Sequence, residues 1–264
     1  MSLIDPLLLQ SCLTTALGRV DVDALDACDS TNSEIMRQAS AGAPAGRVVV
    51  ADRQSAGRGR RGRVWLSSPE RSLTFSLLWR FTGSPARLAG LSLAVGVALA
   101  EALTALGAAG IGLKWPNDVL LRTGDGDYAK LAGVLVELAS DRRGTQVVIG
   151  IGLNLLPPEE KLPQPVSALS EAMPALPGRE RILAALLDAL VVVLDRFAVD
   201  GFAAVKSDWQ GWHAWQGLEV SILDEVGAGW VGRCQGVAED GALLVASETG
   251  IQSVYAGDVS VRRT

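Results

Sequence analysis

Hydrophobic and polar residues alternate, or form short apolar runs, in several segments between residues 20 and 155. Such segments are typical of β-strands, and they lie at residues 20–28, 48–51, 72–79, 111–121, 130–137 and 146–155. Pro116-Asn117-Asp118 interrupts the fourth segment, and Gly124-Asp125-Gly126-Asp127 marks a hairpin turn before the fifth. The succession of hairpins predicts a mixed, mainly antiparallel sheet.

Apolar residues with helical spacing predict three longer helices, at residues 6–17, 88–106 and 179–197. A shorter helix, at residues 34–39, follows the candidate N-cap residues Asp29-Ser30-Thr31-Asn32-Ser33. We expect these helices to pack on one side of the sheet. The predicted fold class is therefore α+β.

The pattern of the sequence changes after residue 216. Short apolar strands are separated by glycine turns such as Asp240-Gly241. This pattern predicts a small β-barrel of under fifty residues. We therefore expect two domains, a catalytic or binding domain at residues 1–216 and a β-barrel domain at residues 217–264.

Composition and charge exclude several classes of function. The chain of 264 residues is 48% hydrophobic and carries a net charge of −5, which argues against a protein that coats nucleic acid or a membrane. Between Arg87 and Lys114 the single charged residue is Glu101, but glycine interruptions favour a buried core helix over a membrane span. Three widely spaced cysteines and the absence of a basic leader predict a reduced, cytoplasmic protein.

The most unusual segment is Gln54-Ser55-Ala56-Gly57-Arg58-Gly59-Arg60-Arg61-Gly62, directly after an apolar strand. Its glycines formally match the dinucleotide-binding fingerprint, yet no helix pattern follows and position 80 is an arginine rather than an acid. A Walker-type phosphate loop is also missing from the sequence. Glycine flexibility and arginine side chains instead predict a loop that holds a small anion.

A second candidate is Lys114-Trp115-Pro116-Asn117-Asp118. A lysine and an aspartate inside an apolar strand are costly unless they are paired or bound to a ligand. Lys130 opens the next apolar run and on its own is a weak signal. Together with the arginine loop, these lysines would form a cationic site able to hold a carboxylate beside a nucleotide phosphate.

Ser30, Thr31 and Asn32 have two readings on the residues alone, because small polar side chains either cap a helix or contact a ligand rich in amide groups. Trp209, Trp212 and Trp215 are three residues apart, as expected for core packing. His213, between two of these tryptophans, is predicted to be structural.

These motifs, in their order and spacing, resemble the biotin–protein ligases, also described as biotin–[acetyl-CoA-carboxylase] ligases. The resemblance rests on the glycine–arginine loop, on residues 114–118, on Lys130-Leu131-Ala132-Gly133-Val134-Leu135-Val136-Glu137, on Gly150-Ile151-Gly152-Leu153-Asn154, and on Ser30-Thr31-Asn32. It implies a class II synthetase-like catalytic domain followed by an SH3-like barrel. It also implies ATP- and Mg²⁺-dependent activation of biotin to biotinyl-5'-adenylate, and transfer of biotin to one lysine of a biotin carboxyl carrier domain.

The resemblance also implies roles for individual residues. Lys130 and Arg60 would be catalytic. Contacts to biotin or its adenylate would come from Ser30, Thr31, Asn32, Gln54, Gly57, Arg58, Gly59, Arg60, Lys130 and Gly133. The nucleotide side would be lined by Trp65, Lys114, Asn117, Asp118 and Asn154. The metal ligands are left open.

About 25 residues precede the match, too few for the DNA-binding module of some family members, so we expect a ligase that does not bind DNA. It would bind no membrane, and strand edges near the loop suggest a homodimer. A lipoate or octanoate ligase of the same superfamily is the nearest alternative. A nucleic-acid-binding protein that uses the arginine loop is an alternative from another class.

Overall fold

The computed structural model describes residues 2–141, 144–159, 162, 164–223, 229–257 and 259–263. The α-helices in these residues are α1 Pro6–Cys12, α2 Thr31–Ser40, α3 Leu91–Ala105, α4 Arg179–Asp200 and α5 Lys206–Trp212. The strands are β1 Asp21–Cys28, β2 Arg47–Gln54, β3 Ser72–Phe81, β4 Ile111–Lys114, β5 Asp118–Arg122, β6 Tyr128–Asp141, β7 Gly144–Asn154, β8 Glu219–Leu223, β9 Gly229–Val237, β10 Leu243–Ser247, β11 Gly250–Val254 and β12 Ser260–Arg263.

Strands β1 to β7 form one sheet in the order β1-β2-β3-β7-β6-β5-β4. Helix α2 carries the chain from β1 to β2, and the two strands are therefore parallel. The other neighbouring strands are antiparallel. The predicted α+β class, with a mixed and mainly antiparallel sheet, is confirmed.

The main core lies between one face of this sheet and helices α3 and α4. Every second residue of β3 (Leu73, Phe75 and Leu77) points into it and is fully buried. The segment Pro85–Ala105 is apolar and long enough to cross a membrane, but 61% of its apolar window is buried inside the protein. Since α3 packs along α4, it is the core helix that the sequence predicts.

Helix α2 lies on the opposite face of the sheet. Its residues Ile35 and Ala39 form a separate small cluster with Val49, Leu78 and Val148, which alternate with the main-core positions of β2, β3 and β7. The expectation that helices pack on one side therefore holds for α3 and α4, whereas α2 covers part of the other face. The remainder of that second face carries the candidate site.

Four predicted helix boundaries were wrong by three residues or more. Helix α2 begins at Thr31 rather than at residue 34, and α4 ends at Asp200 rather than at residue 197. The first helix ends at Cys12 rather than at residue 17, because the carboxylate of Asp188 accepts hydrogen bonds from Thr14 N (3.1 Å) and Ala16 N (2.7 Å) and holds this segment in a turn. Helix α3 begins at Leu91 rather than at residue 88, because Gly90 adopts a left-handed conformation with φ of 80°.

Strands β8 to β12 form a second, antiparallel sheet in the order β11-β10-β9-β8-β12. In the described residues β11 and β12 are its edges. The predicted C-terminal group of short strands is confirmed as an antiparallel sheet, while its closure into a barrel and the domain boundary between residues 216 and 217 stay predictions. Trp115 connects the two sheets, since its Nε1 donates a 2.9 Å hydrogen bond to Gly241 O.

Candidate functional site

Three glycines make a flat floor on the second face of the main sheet. Gly133 lies on β6, and Gly150 and Gly152 lie on β7. A Cβ atom added at Gly150 would lie 2.0 Å from Asn32 Oδ1, and one added at Gly152 would lie 2.2 Å from Trp65 Cε2. Any larger residue would therefore displace the side chains above this floor, which explains why glycine occupies these positions.

A β-bulge directs Lys130 towards the same floor. Asp118 pairs with Gly133 and Val119 with Ala132, but Leu120 pairs with Lys130, so Leu131 is an extra residue on β6. Leu131 points into the core, and Lys130 Nζ lies 3.1 Å from the position of a Cβ at Gly133. Without the bulge, strict alternation would place Lys130 with Ala132 on the core face.

The carboxylate of Asp118 lies between two lysines. Its Oδ1 is 2.6 Å from Lys130 Nζ, and its Oδ2 is 4.0 Å from Lys114 Nζ. The three side chains keep only 17–23% of their surface exposed. Burial lowers the pKa of Lys114, an effect that the nearby Asp118 opposes and that Lys130 reinforces. One carboxylate thus partly balances two largely buried cations, which leaves positive charge available for an anionic ligand.

The start of α2 brings polar groups to the floor. Ser30, Thr31 and Asn32 are at most 4% exposed. Ser76 Oγ lies 2.5 Å from Asn32 Oδ1 and 2.7 Å from Thr31 Oγ1, and Gln54 Oε1 accepts a 2.8 Å bond from Thr31 N. Ser30 occupies the N-cap position without a side-chain capping bond. Capping therefore does not account for the hydroxyl group of Ser30.

Glu137 is a charged residue of the site that was not among the predicted contacts. Its Oε2 accepts a 2.8 Å hydrogen bond from Asn32 Nδ2, and its Oε1 forms an ion pair with Arg58. Arg58 also donates a 3.2 Å bond to Ser33 Oγ. The alternation along β6, in which residues 133, 135 and 137 share one face, could have identified Glu137 from the sequence.

The glycine–arginine loop folds back over the floor as a narrow arch. Trp65 N donates to Gly57 O at 2.9 Å and Gly59 N to Arg63 O at 2.7 Å. A Cβ at Gly57 would lie 2.3 Å from Trp65 O, so the two arms of the loop can meet only if this residue is glycine. The backbone reverses at its tip through Arg61, with φ of 57°.

Arg60 connects this loop to the cationic site. Its Nη1 donates a 3.1 Å bond to Asn117 Oδ1, and Asn117 Nδ2 in turn donates to Val134 O at 2.7 Å. Burial lowers the pKa of Arg60, and the charge of Asp118 opposes that shift. The loop also borders a cleft of about 570 Å³ whose other walls include Leu135, Glu137, Ala256 and Gly257.

Two residues predicted on the nucleotide side have clear positions. The Trp65 ring lies against Gly152, with its centroid 5.7 Å from Lys130 Nζ, and its buried Nε1 has no hydrogen-bond partner among the described residues. Asn154 Nδ2 donates to Lys130 O (3.3 Å) and Ser167 O (3.1 Å). Asn154 therefore fixes the backbone that carries Lys130.

Two residues of the tryptophan cluster are buried in the core, and one of these, Trp215, also contacts the site. Trp209 and Trp215 are buried, and the ring of Trp209 stacks 4.5 Å from that of His213. Burial lowers the pKa of His213 to about 4, so the imidazole is neutral at pH 7. Trp215 has a second contact that the sequence did not suggest, since Lys114 Nζ lies 4.5 Å from its ring centroid.

The structure therefore brings the predicted site residues together on the second face of the sheet and in the loop that arches over it. A glycine floor beside two lysines and an arginine is suited to a small acidic ligand, which is typical of enzymes that activate a carboxylate. The model of the Biotin/lipoate A/B protein ligase family matches residues 26–154, and that of the Biotin protein ligase C terminal domain matches residues 218–262.

Individual relatives agree with these models. The bifunctional ligase/repressor BirA of Escherichia coli K12 is 34% identical over 254 residues, covering 93% of this chain and 76% of the relative. The biotin–[acetyl-CoA-carboxylase] ligase of Paracoccus denitrificans is 35% identical, covering 88% of this chain and 96% of the relative. The structure of the biotin protein ligase from Aquifex aeolicus in complex with biotin and ATP is similar with a TM-score of 0.77 and 31% identity, covering 93% and 99% of the two chains. The chain belongs to the biotin protein ligase family.

Proposed function

We propose that this protein is a biotin–[acetyl-CoA-carboxylase] ligase, which activates biotin with ATP and transfers it to a lysine of a biotin carboxyl carrier domain. The observation that carries the proposal is the placement of Lys114, Lys130 and Arg60 around Asp118, above a glycine floor, in a chain of this family. Joining a carboxylate to a phosphate needs such a site, because two anions repel each other unless fixed cations offset their charge.

In the first step, a carboxylate oxygen of biotin attacks the α-phosphorus of ATP, and the bond from that phosphorus to the bridging oxygen of pyrophosphate breaks. The products are biotinyl-5'-adenylate and pyrophosphate. Lys130 would face the carboxylate and the α-phosphate, and Asp118 and Asn154 hold its ammonium group and its backbone. Ser30, Thr31, Asn32 and Gln54 would receive the polar head of biotin.

Mg²⁺ would enter with ATP, and bound Mg²⁺ would neutralise phosphate charge. Mg²⁺ typically keeps several waters and takes one or two carboxylates beside substrate phosphates. Asp118 and Asn117 lie at the predicted nucleotide side, but both oxygens of Asp118 face lysine ammonium groups and Asn117 Oδ1 accepts from Arg60. The ligands of Mg²⁺ would therefore come from phosphate oxygens and water. Among the described residues, no three His, Cys, Asp or Glu side chains form a dedicated metal site.

In the second step, the deprotonated amine of the carrier lysine attacks the acyl carbon of the adenylate. The acyl–oxygen bond breaks, AMP leaves with its electron pair, and the nitrogen releases one proton to solvent as the amide forms. Until the carrier arrives, the arched loop would shield the mixed anhydride from water. The described residues need supply no covalent nucleophile, in accord with a buried and neutral His213.

We expect the protein to act in the cytoplasm, where Cys12, Cys28 and Cys234, which are free here, stay reduced. The net charge of −5 gives no basis for DNA binding. We also infer a homodimer, because β1 is an edge strand that pairs on one side with β2 and can accept another strand on the other side. Sedimentation of the protein with and without biotin would test this, and a monomer in both conditions would contradict it.

Incubation of the protein with biotin, ATP and Mg²⁺ tests the proposed chemistry. We expect biotinyl-5'-adenylate in the bound fraction by mass spectrometry, together with one pyrophosphate released per adenylate. A parallel incubation with lipoate in place of biotin is the control for substrate class. Formation of lipoyl-adenylate without biotinyl-adenylate would refute the assignment.

Replacing Arg60 with glycine should let the adenylate escape. The variant loses the hydrogen bond to Asn117 that ties the loop to the site, and a hydrogen bond to a charged group contributes enough to speed release by about 10- to 100-fold. The measurement is the dissociation rate of biotinyl-adenylate, with biotin labelling of a bystander protein as a second readout. Arg61→Gly is the matched control, because it removes an arginine from the same loop at a left-handed position that suits glycine. Equal retention by Arg60→Gly and Arg61→Gly would contradict a closing role for Arg60.

A further inference from the structure

We propose that Trp215 is a positioning residue for the adenylation step, because its indole face holds the ammonium group of Lys114 in the active site. This inference rests on the proposed function. It extends the site to the segment that joins α5 to β8, outside every motif that suggested the activity. The proposed role of Trp215 depends only on its contact with Lys114.

The backbone of this segment is fixed against the strand that carries Lys114. Ala214 N donates a 2.9 Å hydrogen bond to Leu113 O, and His213 pairs with Leu113 in a parallel bridge. Leu218 N then donates to Trp215 O at 3.1 Å. The segment therefore extends β4 at its edge, and Trp215 follows immediately beside Lys114.

The indole ring forms one wall of the lysine's surroundings. Lys114 Nζ lies 4.5 Å from the centroid of the Trp215 ring, within the range of a cation–π interaction, and Trp215 is only 9% exposed. Asp118 Oδ2, the nearest carboxylate, is 4.0 Å from the same ammonium group. Since water is largely excluded here, the aromatic face supplies attraction that hydration supplies at an exposed lysine.

Other charged groups around Lys114 make this attraction necessary. Lys130 on β6, Arg63 on the loop and Arg262 on β12 all disfavour its positive charge, and Asp118 on β5 favours it. Burial also lowers the pKa of Lys114 from its ordinary value. Loss of the Trp215 ring would lower this pKa further, so Lys114 would lose its proton at a lower pH. Activity that needs the ammonium form would then be lost earlier as the pH rises.

The test compares three full-length variants with the native protein, namely Trp215→Leu, Trp215→Phe and Trp212→Leu. The readout is the rate of biotin- and ATP-dependent pyrophosphate release at saturating substrates, measured from pH 6.5 to 10. For Trp215→Leu we expect a loss of about 30-fold in kcat and an alkaline limb shifted about one unit towards acid pH. Trp215→Phe keeps an aromatic face and should retain most of the rate and the native alkaline limb.

Trp212→Leu is the matched control, since Trp212 packs partly buried against the core three residues away and has no cation–π contact among the described residues. Its thermal stability will fall, but its alkaline limb should match the native one. A Trp215→Leu variant with the native pH profile, and with a rate equal to that of Trp212→Leu, would overturn the proposal.

A double-mutant cycle keeps the inference testable if Trp215→Leu is poorly stable. In a Lys114→Gln background, the Trp215→Leu change should have almost no further effect on kcat, because the group it positions is already gone. Fully additive losses would show that Trp215 acts only through general stability and would refute the proposal. If the native protein forms no biotinyl-adenylate, the proposed function fails instead, so the two failures are distinguishable.

Discussion

Replacing Lys130 with glutamine should reduce the rate of biotinyl-adenylate formation by about 100- to 1000-fold, the loss expected when a preorganised charge is removed from a developing anion. Glutamine can still donate a hydrogen bond to Asp118, which now lies 2.6 Å from Lys130 Nζ. The variant therefore tests the positive charge more than the packing. Single-turnover pyrophosphate release, with biotin and ATP both saturating, is the appropriate measurement.

The matched control is Lys206→Gln, which removes a lysine from an ion pair with Glu239, away from the site. We expect it to keep full activity, because an ion pair whose carboxylate faces solvent contributes little to stability. Both variants should unfold at similar temperatures to the native protein. A Lys130→Gln enzyme with intact folding and less than a tenfold loss of rate would exclude Lys130 from the chemical step.

The cost of burying charge drew attention in the sequence to Lys114 and Asp118, whereas Lys130 was a weak signal that strand periodicity could not place. Regular alternation would group Lys130 with Ala132 and Val134, which both face the core. The extra residue Leu131 reverses that direction, and a bulge of this kind depends on pairing with β5 rather than on the local sequence of β6. Tertiary pairing, not propensity, determines which face receives the lysine.

The same limit applies to long-range contacts. The apolar run at residues 48–51 correctly indicated a strand, yet only the structure shows that α2 covers one of its faces and the main core the other. The approach of Trp215 to Lys114 joins residues about 100 positions apart. The three-residue spacing of the tryptophans predicted that Trp215 would be buried, but burial alone does not specify which neighbour covers its ring.

The glycine floor was visible in the sequence as Gly150 and Gly152, although its purpose was not. A lone pair of glycines in a strand indicates either a bulge or a close approach by another group. Here the approaching groups are the amide of Asn32 and the ring of Trp65. This close approach gives the second large effect that we expect from a single substitution.

Gly150→Ala should weaken biotin binding by about 100-fold, since the new Cβ would lie 2.0 Å from Asn32 Oδ1 and 2.8 Å from its Cγ. Asn32 is 3% exposed and cannot move outwards without losing its contacts with Ser76 and Glu137. Two broken hydrogen bonds, one of them to a charged group, account for a loss of this size. Isothermal titration with biotin measures it, and thermal unfolding should show a further cost of about 1–3 kcal/mol from overpacking.

Gly211→Ala provides the contrast, because Gly211 lies in helix α5 and, apart from its chain neighbours and its own helix backbone, no atom lies within 4 Å of the added Cβ. Alanine there should leave biotin binding unchanged and stabilise the fold by about 0.5–1 kcal/mol, the usual advantage of alanine over glycine in a helix. The Gly150→Ala variant distinguishes a role of Gly150 in folding from a role in biotin binding. If biotin affinity stays native while stability falls, Gly150 only makes room for Asn32 in the fold, and Asn32 does not contact the ligand. If both fall together, the amide of Asn32 is held in place by the floor for the purpose of binding biotin.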